Sequence, residues 1–241
     1  VEPLRVSVVV VSRGRPDALS RCLTGLAQLD HPAFEVIVVA DEAGRRAAAA
    51  HPLAAQVKLL ACGRPNISAA RNIGIGAAAG DLVAFIDDDA VPEPSWLLHL
   101  AAPFADPDVA AAGGFVIGRN GISFQWRGRQ VEDTGAALPL PFAGDAPVVP
   151  APPPGGAIKT EGTNMALRRE VLLALGGFDE AFAFYLDETD LNLRLARAGH
   201  RTALVPLAQV HHGFAPSERR RADRAPLSLF DIGASSAAFW A

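Results

Sequence analysis

The chain has 241 residues, half of them hydrophobic, which is enough to bury a sizeable core in one large domain or two small ones. A formal net charge of -4 and only two cysteines, Cys22 and Cys62, without metal-type spacing argue against nucleic-acid binding, a disulfide framework and a zinc site. No apolar run approaches the roughly 18 residues that span a bilayer, and no leader pattern opens the chain. A reduced, cytoplasmic setting is therefore expected, and the start at Val1 in place of Met reads as the edge of a piece cut from something longer.

RVSVVVVSRGRP begins with a β-branched run closed by turn residues, the pattern of a strand buried on both faces. DALSRCLTGLAQL then spaces Leu19, Leu23 and Leu26 for a helix, with Asp17 as its expected N-cap. FEVIVVADE and VKLLAC read as the second and third strands, NISAARNIGIGAAAGD as a helix rich in small residues, and LVAFIDDD as the fourth strand. Apolar strands alternating with helices predict an α/β fold with a mostly parallel sheet covered on both faces. In such folds ligands sit beyond the strand C-termini, and SRGRP, ADE and DDD all lie there.

Past residue 110 the pattern changes. AAGGFVIG and GAIKTEGTNMAL look like strands with glycine breaks, separated by the proline-dense LPLPFAGDAPVVPAPPPGG, which must be a loop and is expected to be a lid or disordered. REVLLALGG and DETDLNLRLARAG read as helices, TALVPLAQV as a strand, and the tail after VHHGFAPSERRRADR has no clear period. The expected division is 1–110 for one half, 111–214 for a second, and 215–241 for a C-terminal tail.

Three adjacent aspartates, Asp87, Asp88 and Asp89, at the mouth of a buried strand repel one another unless something offsets them. One reading is a turn that favours aspartate. The other is a divalent cation, Mn²⁺ or Mg²⁺, over two of the carboxylates, where it would also neutralise phosphate oxygens. DDDAV also fits the nucleophile motif of dehalogenase-type phosphatases, but that motif belongs on the first strand of its domain and this one follows three strand candidates.

Taken in order, VSVVVVSRGRPDALSRCLTGL, FEVIVVADE, GRPNISAARNIGIGAAAGDLVAFIDDDAVPEPSWL, GTNMALRREVLLALGGFDE and YLDETDLNLRLARAGH resemble the successive motifs of the family 2 glycosyltransferases, over most of Val6 to His212. The resemblance implies a GT-A fold, Rossmann-like in its first half, a nucleotide-diphosphate sugar donor, a divalent metal and inversion at the anomeric carbon. It makes 1–110 the nucleotide-sugar-binding half and 111–214 the half holding acceptor and base. It places Asp87 and Asp89 in a DxD motif at metal, diphosphate and ribose with Asp88 between them, and puts Ser12, Arg15, Asp41 and Arg71 around the nucleotide. From the residues alone, those four would be a helix-capping serine, an exposed turn arginine, a turn aspartate and a solvent-facing helix arginine.

The same resemblance puts the catalytic base at the start of the helix in FYLDETDL. The family wording there is Glu-Asp, whereas this chain has Asp187-Glu188, so the base is Glu188 or, second, Asp187; as plain structure, Asp187 would cap the helix and Glu188 and Asp190 complement its dipole. One histidine of His211 and His212 would approach the metal or diphosphate; otherwise the pair is partly buried surface. Gly162, Thr163 and Asn164 would let backbone approach a bound sugar or merely kink an edge strand. Trp96 reads as core and Trp126 as the acceptor-site aromatic. The Arg219-Arg220-Arg221 run reads as solvated, with a diphosphate or an anionic membrane surface as its alternatives. The acceptor is a glycan, glycolipid or small molecule, as in bacterial polysaccharide synthesis, reached in the cytoplasm or at the inner membrane face. A phosphatase or nucleotidyltransferase using the triplet, and an idle sugar-nucleotide-binding domain, are the competing readings.

Overall fold

In the computed structural model, which describes residues 3–221, 223 and 225–241, the predicted alternation of strand and helix is present through residue 87. The ends of the first half (Val1, Glu2) and part of the Arg-rich stretch (Ala222, Arg224) lie outside the described residues. In chain order, β1 (Val6–Ser12), α1 (Pro16–Leu26), β2 (Phe34–Ala40), α2 (Glu42–Ala49), β3 (Val57–Ala61), α3 (Ile67–Ala77) and β4 (Leu82–Asp87) form the first half. The order β3-β2-β1-β4 is parallel throughout.

Period-two alternation divides β1 between two cores. Val6, Val8 and Val10 pack with Leu19, Cys22, Leu23 and Leu26 of α1, while Val9 faces the other way, among Ala70 and Ile75 of α3 and Phe178. Gly74 lets α3 come this close, because a Cβ there would stand 2.5 Å from a methyl of Val9. The N-cap of α1 is Arg15, one position before Pro16, so Asp17 is not the cap; it lies in the first turn, where its charge complements the dipole.

The remainder comprises β5 (Ala90–Pro92), α4 (Trp96–Ala101), β6 (Val109–Ile117), β7 (Phe124–Trp126), β8 (Arg129–Val131), β9 (Ala137–Pro139), β10 (Ala157–Lys159), β11 (Asn164–Arg168), α5 (Arg169–Ala174), α6 (Asp187–Arg197), β12 (Arg201–His212) and α7 (Phe230–Phe239). The main sheet continues past β4 as β11-β6-β12-β5, with β7 on β6, and these pairings are antiparallel except for β6 with β12. The whole is one mixed sheet with helices on both faces, and β10-β8-β9 form a small second sheet against α6.

The proline-rich stretch differs from expectation. Its Val148 exchanges backbone hydrogen bonds of 3.0 and 2.8 Å with Leu204 of β12, and Val149 packs on the core, so it lies along the sheet. Helices α2 and α7 were not anticipated. No helix among the described residues is long and apolar enough to cross a membrane.

Candidate active site

Strand order reverses direction around β1, which pairs with β2 on one side and β4 on the other, and a crevice opens at the C-terminal ends of β1 and β4. A cavity of about 490 Å³ occupies it, its lining including Arg15, Arg71, Asp87, Asp89 and His212, together with Trp126, Lys159, Asp187 and Glu188. A smaller cavity of about 120 Å³ adjoins it, sharing Arg15 and Asp87 and adding Ser12, Arg13, Cys62 and Asn66.

The triplet splits because β4 ends at Asp87 and the chain turns through Asp88 and Asp89. Asp87, the last residue of β4, and Asp89 face the cavity, whereas Asp88 turns inward, fully buried, and is paired with Arg15. Burial pushes Asp88 up to about 7 even though the Arg15 charge opposes it. Asp89 Oδ2 accepts from Arg15 Nη1 at 3.1 Å and from the Ala215 N–H at 2.8 Å, while Oδ1 lies 3.2 Å from His212 Nε2. Burial would raise Asp89, but His212, Arg15 and the Ala215 N–H together hold it below the usual carboxylate range. Asp87 Oδ2 accepts from the Thr163 hydroxyl at 2.5 Å.

Asp87, Asp89 and His212 each offer a ligand atom, all within 4.8 Å of one another. His212 Nδ1 sits 2.9 Å from Gln125 Oε1; when Nδ1 donates there, Nε2 can exchange its contact with Asp89 for a metal ion. Three electron-rich atoms facing one another is an arrangement that a divalent cation resolves, and carboxylate oxygens with one imidazole suit Mn²⁺ or Mg²⁺. His211 is outside this group. As the neighbouring residue on a strand it points to the opposite face, where its Nε2 is 2.5 Å from Glu93 Oε1, so of the expected histidine pair only His212 reaches the cavity.

Arg71 links the triplet to the FYLDETDL helix. Buried on α3, it is ion-paired with Asp187 and lies 3.8 Å from Asp87, its guanidinium 5.0 Å from the Phe178 ring centre, so it does not face solvent. The backbone just before α6 is strained: Tyr185 and Leu186 have φ of 84° and 65°, a region non-glycine residues seldom occupy, and this bend delivers Asp187 and Glu188 to the cavity. Burial and the adjacent Glu188 charge push Asp187 up to about 8 against the pull of Arg71. Burial would raise Glu188 too, but Lys159 and Arg71 outweigh it and hold it at about 2. The two carboxyls interact and titrate as a pair, and Lys159, 3.3 Å from Glu188 Oε1, favours negative charge on Glu188.

The other expected residues divide. Trp126 lines the cavity, as do Gly162 and Thr163, although the space at Gly162 is taken by Arg71, which a Cβ would strike. Ser12 lines the smaller cavity and caps no helix. Asp41 caps α2 through the Gly44 N–H at 2.8 Å and also accepts from the Gly14 N–H at 2.8 Å, which fixes the β1 loop without lining either cavity. Asn164 is buried beneath the site: it accepts from Trp96 Nε1 at 2.8 Å and donates to the Phe115 and Ala208 carbonyls. Trp96 is fully buried, as expected. Of the arginine run, Arg220 and Arg221 line the cavity, and Arg219 is bound to Asp231 at 2.7 Å. Sequence reading missed Arg129, Lys159 and Glu161. The available signal was Lys159 itself, one of two lysines in an arginine-rich chain and placed in an apolar strand.

Comparison with known proteins agrees with this geometry. Residues 3–224 match the model described as glycosyltransferase like family 2. The O-antigen biosynthesis protein RfbC of Myxococcus xanthus is 34% identical over 92% of this chain, and the pre-mycofactocin glycosyltransferase of Mycobacterium tuberculosis is 30% identical over 86%. The chain spans only 18% and 42% of those two relatives. Among solved structures, GalNAc-T7 with UDP, GalNAc and Mn²⁺ superposes with a TM-score of 0.68 at 18% identity, covering 88% of this chain and 44% of the other. The mannosyltransferase PcManGT of Pyrobaculum calidifontis with GDP-Man and Mn²⁺ gives 0.63 at 23% identity, covering 90% and 59%. At those identities the structures establish the GT-A fold, and the family match establishes the class. This chain belongs to the family 2 glycosyltransferases.

Proposed function

We propose that the chain moves a sugar, with inversion, from a nucleotide-diphosphate donor to an acceptor hydroxyl, and that it depends on a divalent metal. The observation that carries this reading is one cavity holding both the Asp87, Asp89 and His212 donor set and a Glu188 carboxylate paired with Lys159. Asp87, Asp89 and His212 would hold Mn²⁺ or Mg²⁺, which when bound would neutralise the diphosphate oxygens of the leaving group. Arg15 and Arg71 add positive charge beside that position, and Ser12 lines the adjoining cavity, which is assigned to the nucleoside. Asp41 and Asp88 support this side by fixing the β1 loop and anchoring Arg15.

Glu188 is the base: its carboxylate takes the proton of the acceptor hydroxyl as that oxygen bonds to the anomeric carbon and the bond to the diphosphate breaks. Asp187, the second candidate, is already engaged by the Arg71 guanidinium. Trp126, Gly162 and Thr163, which line the same cavity, are assigned to the sugar. The relatives named for O-antigen biosynthesis and as a pre-mycofactocin glycosyltransferase favour a glycan, glycolipid or small-molecule acceptor.

Thermal melts with UDP, GDP, ADP, CDP and dTDP, each with and without Mn²⁺, test the reading. A ligand of the folded state at a hundredfold excess over Kd adds about 2.7 kcal/mol, so one nucleotide should raise Tm only with metal present. Uniform silence across the panel would overturn it. Glu188→Gln should lower kcat by about 10²- to 10⁴-fold with little change in nucleotide affinity, and an unchanged kcat would move the base to Asp187.

A further inference from the structure

Lys159 ends β10 with its side chain 6% exposed, and its Nζ lies 3.3 Å from Glu161 Oε2 and 3.3 Å from Glu188 Oε1. Glu161 is equally buried, and its other oxygen accepts from Arg129 Nη1 at 2.8 Å. The four side chains form a file of alternating charge, Arg129, Glu161, Lys159, Glu188, running from β8 through β10 to the first turn of α6 and along the wall of the cavity. A buried ammonium is costly unless paired on every side, and a cation on the end of a short strand braced by its own carboxylate cannot swing away from Glu188 as a surface lysine would.

We propose that Lys159, braced by Glu161 and Arg129, is a positioning residue that fixes the Glu188 carboxylate at the acceptor side of the cavity. This rests on the assignment of Glu188 as the base. Lys159 touches no reacting atom in this scheme; its work is to hold Glu188 Oε1, beside the Asp187 side chain that also hydrogen-bonds Glu188. The charged groups facing Glu188 are Lys159 from β10, Arg71 from α3, Asp187 from α6 and, just beyond Lys159, Glu161. Arg71 is occupied by Asp187, which leaves Lys159 as the cation that pairs with Glu188 directly. An expendable surface salt bridge would contribute little, whereas this pair has its lysine buried and is tied into a chain of ion pairs.

The test is a ¹³C-carboxyl NMR titration of the full chain, with the Glu188 signal assigned by its loss in Glu188→Gln. Wild type should show Glu188 ionised from pH 4 to 8. In Lys159→Met its midpoint should rise by about one to three pH units, the range expected on losing an opposite charge at contact distance, and Lys159→Arg should restore most of the shift. Should Lys159→Met fail to fold, Lys159→Gln, which keeps a polar head there, carries the same comparison. An unmoved Glu188 midpoint in the neutral variant would overturn the proposal. Release of nucleoside diphosphate from UDP-glucose, GDP-mannose and dTDP-rhamnose with Mn²⁺, water serving as acceptor, separates the two claims on whichever donor turns over. If both are right, Lys159→Met lowers kcat and moves the acid limb of its pH profile upward while donor KM stays. If the midpoint moves but Glu188→Gln turns over normally, Lys159 positions Glu188 and the base lies elsewhere.

Discussion

A Cβ built on Gly162 would run into the Arg71 guanidinium, which is held by Asp187 on one side and stands 3.8 Å from Asp87 on the other. The glycine is therefore required by the packing of one arginine, and its φ is not in the left-handed region. Gly162→Ala must displace either the 161–163 backbone, with the Thr163 hydroxyl that Asp87 accepts from, or Arg71 itself. Overpacking of that kind costs about 1–3 kcal/mol, so the urea midpoint should fall, and donor turnover should fall further because both carboxylate groups lose their common cation. A variant with wild-type midpoint and turnover would show that the contact is slack. The same arginine marks what residue-level reading can and cannot reach. The triplet was legible because three neighbouring carboxylates need an explanation on sequence grounds alone. Arg71 read by itself as a solvent-facing helix residue, since nothing local indicates a partner 116 positions away.

Elements were legible in proportion to how much apolar surface they bury. β1, β2 and β4 are largely buried and announce themselves as near-continuous apolar runs. α2 buries only Gly44 and Ala48, and α7 only Ser235, so neither carries an apolar stripe to read. β7, β8 and β9 have three residues each, too few for a period to show. Polar residues that serve packing were the hardest to place. Asn164 looked like a sugar contact, yet its side chain ties β11 to α4 through Trp96 and to β6 and β12 through the Phe115 and Ala208 carbonyls, with no exposure. Asn164→Asp tests this directly. An ionised carboxylate can accept from Trp96 but cannot donate, and it would set a charge against two carbonyl oxygens in a dry interior, so a loss exceeding about 3 kcal/mol is expected. A melting temperature close to wild type would mean that the junction admits water.

Folding of the whole chain gathers carboxylates that solvent would otherwise keep ionised, and the stability of the protein should record this as pH changes. Asp187, pushed up to about 8 by burial and by Glu188, keeps in the folded state a proton that the unfolded chain loses near its ordinary value of 3.8. Its contribution is present in full below that ordinary value and is lost as pH rises toward about 8, with a slope of up to about 1.4 kcal/mol per pH unit per proton. Asp88, raised to about 7, acts with the same sign. Glu188, lowered to about 2, acts with the opposite sign, but only as pH falls below its ordinary 4.5. Between pH 5 and 8, in EDTA, the free energy of unfolding should therefore decline as pH rises, and Asp187→Asn should flatten the decline without abolishing it, since Asp88 remains. Denaturant titrations at four or five pH values would measure both slopes. Parallel slopes would mean that the Arg71 ion pair outweighs burial, that Asp187 folds as an anion, and that the Asp187–Glu188 pair carries no proton at neutral pH. Asp187 would then regain its claim to be the base.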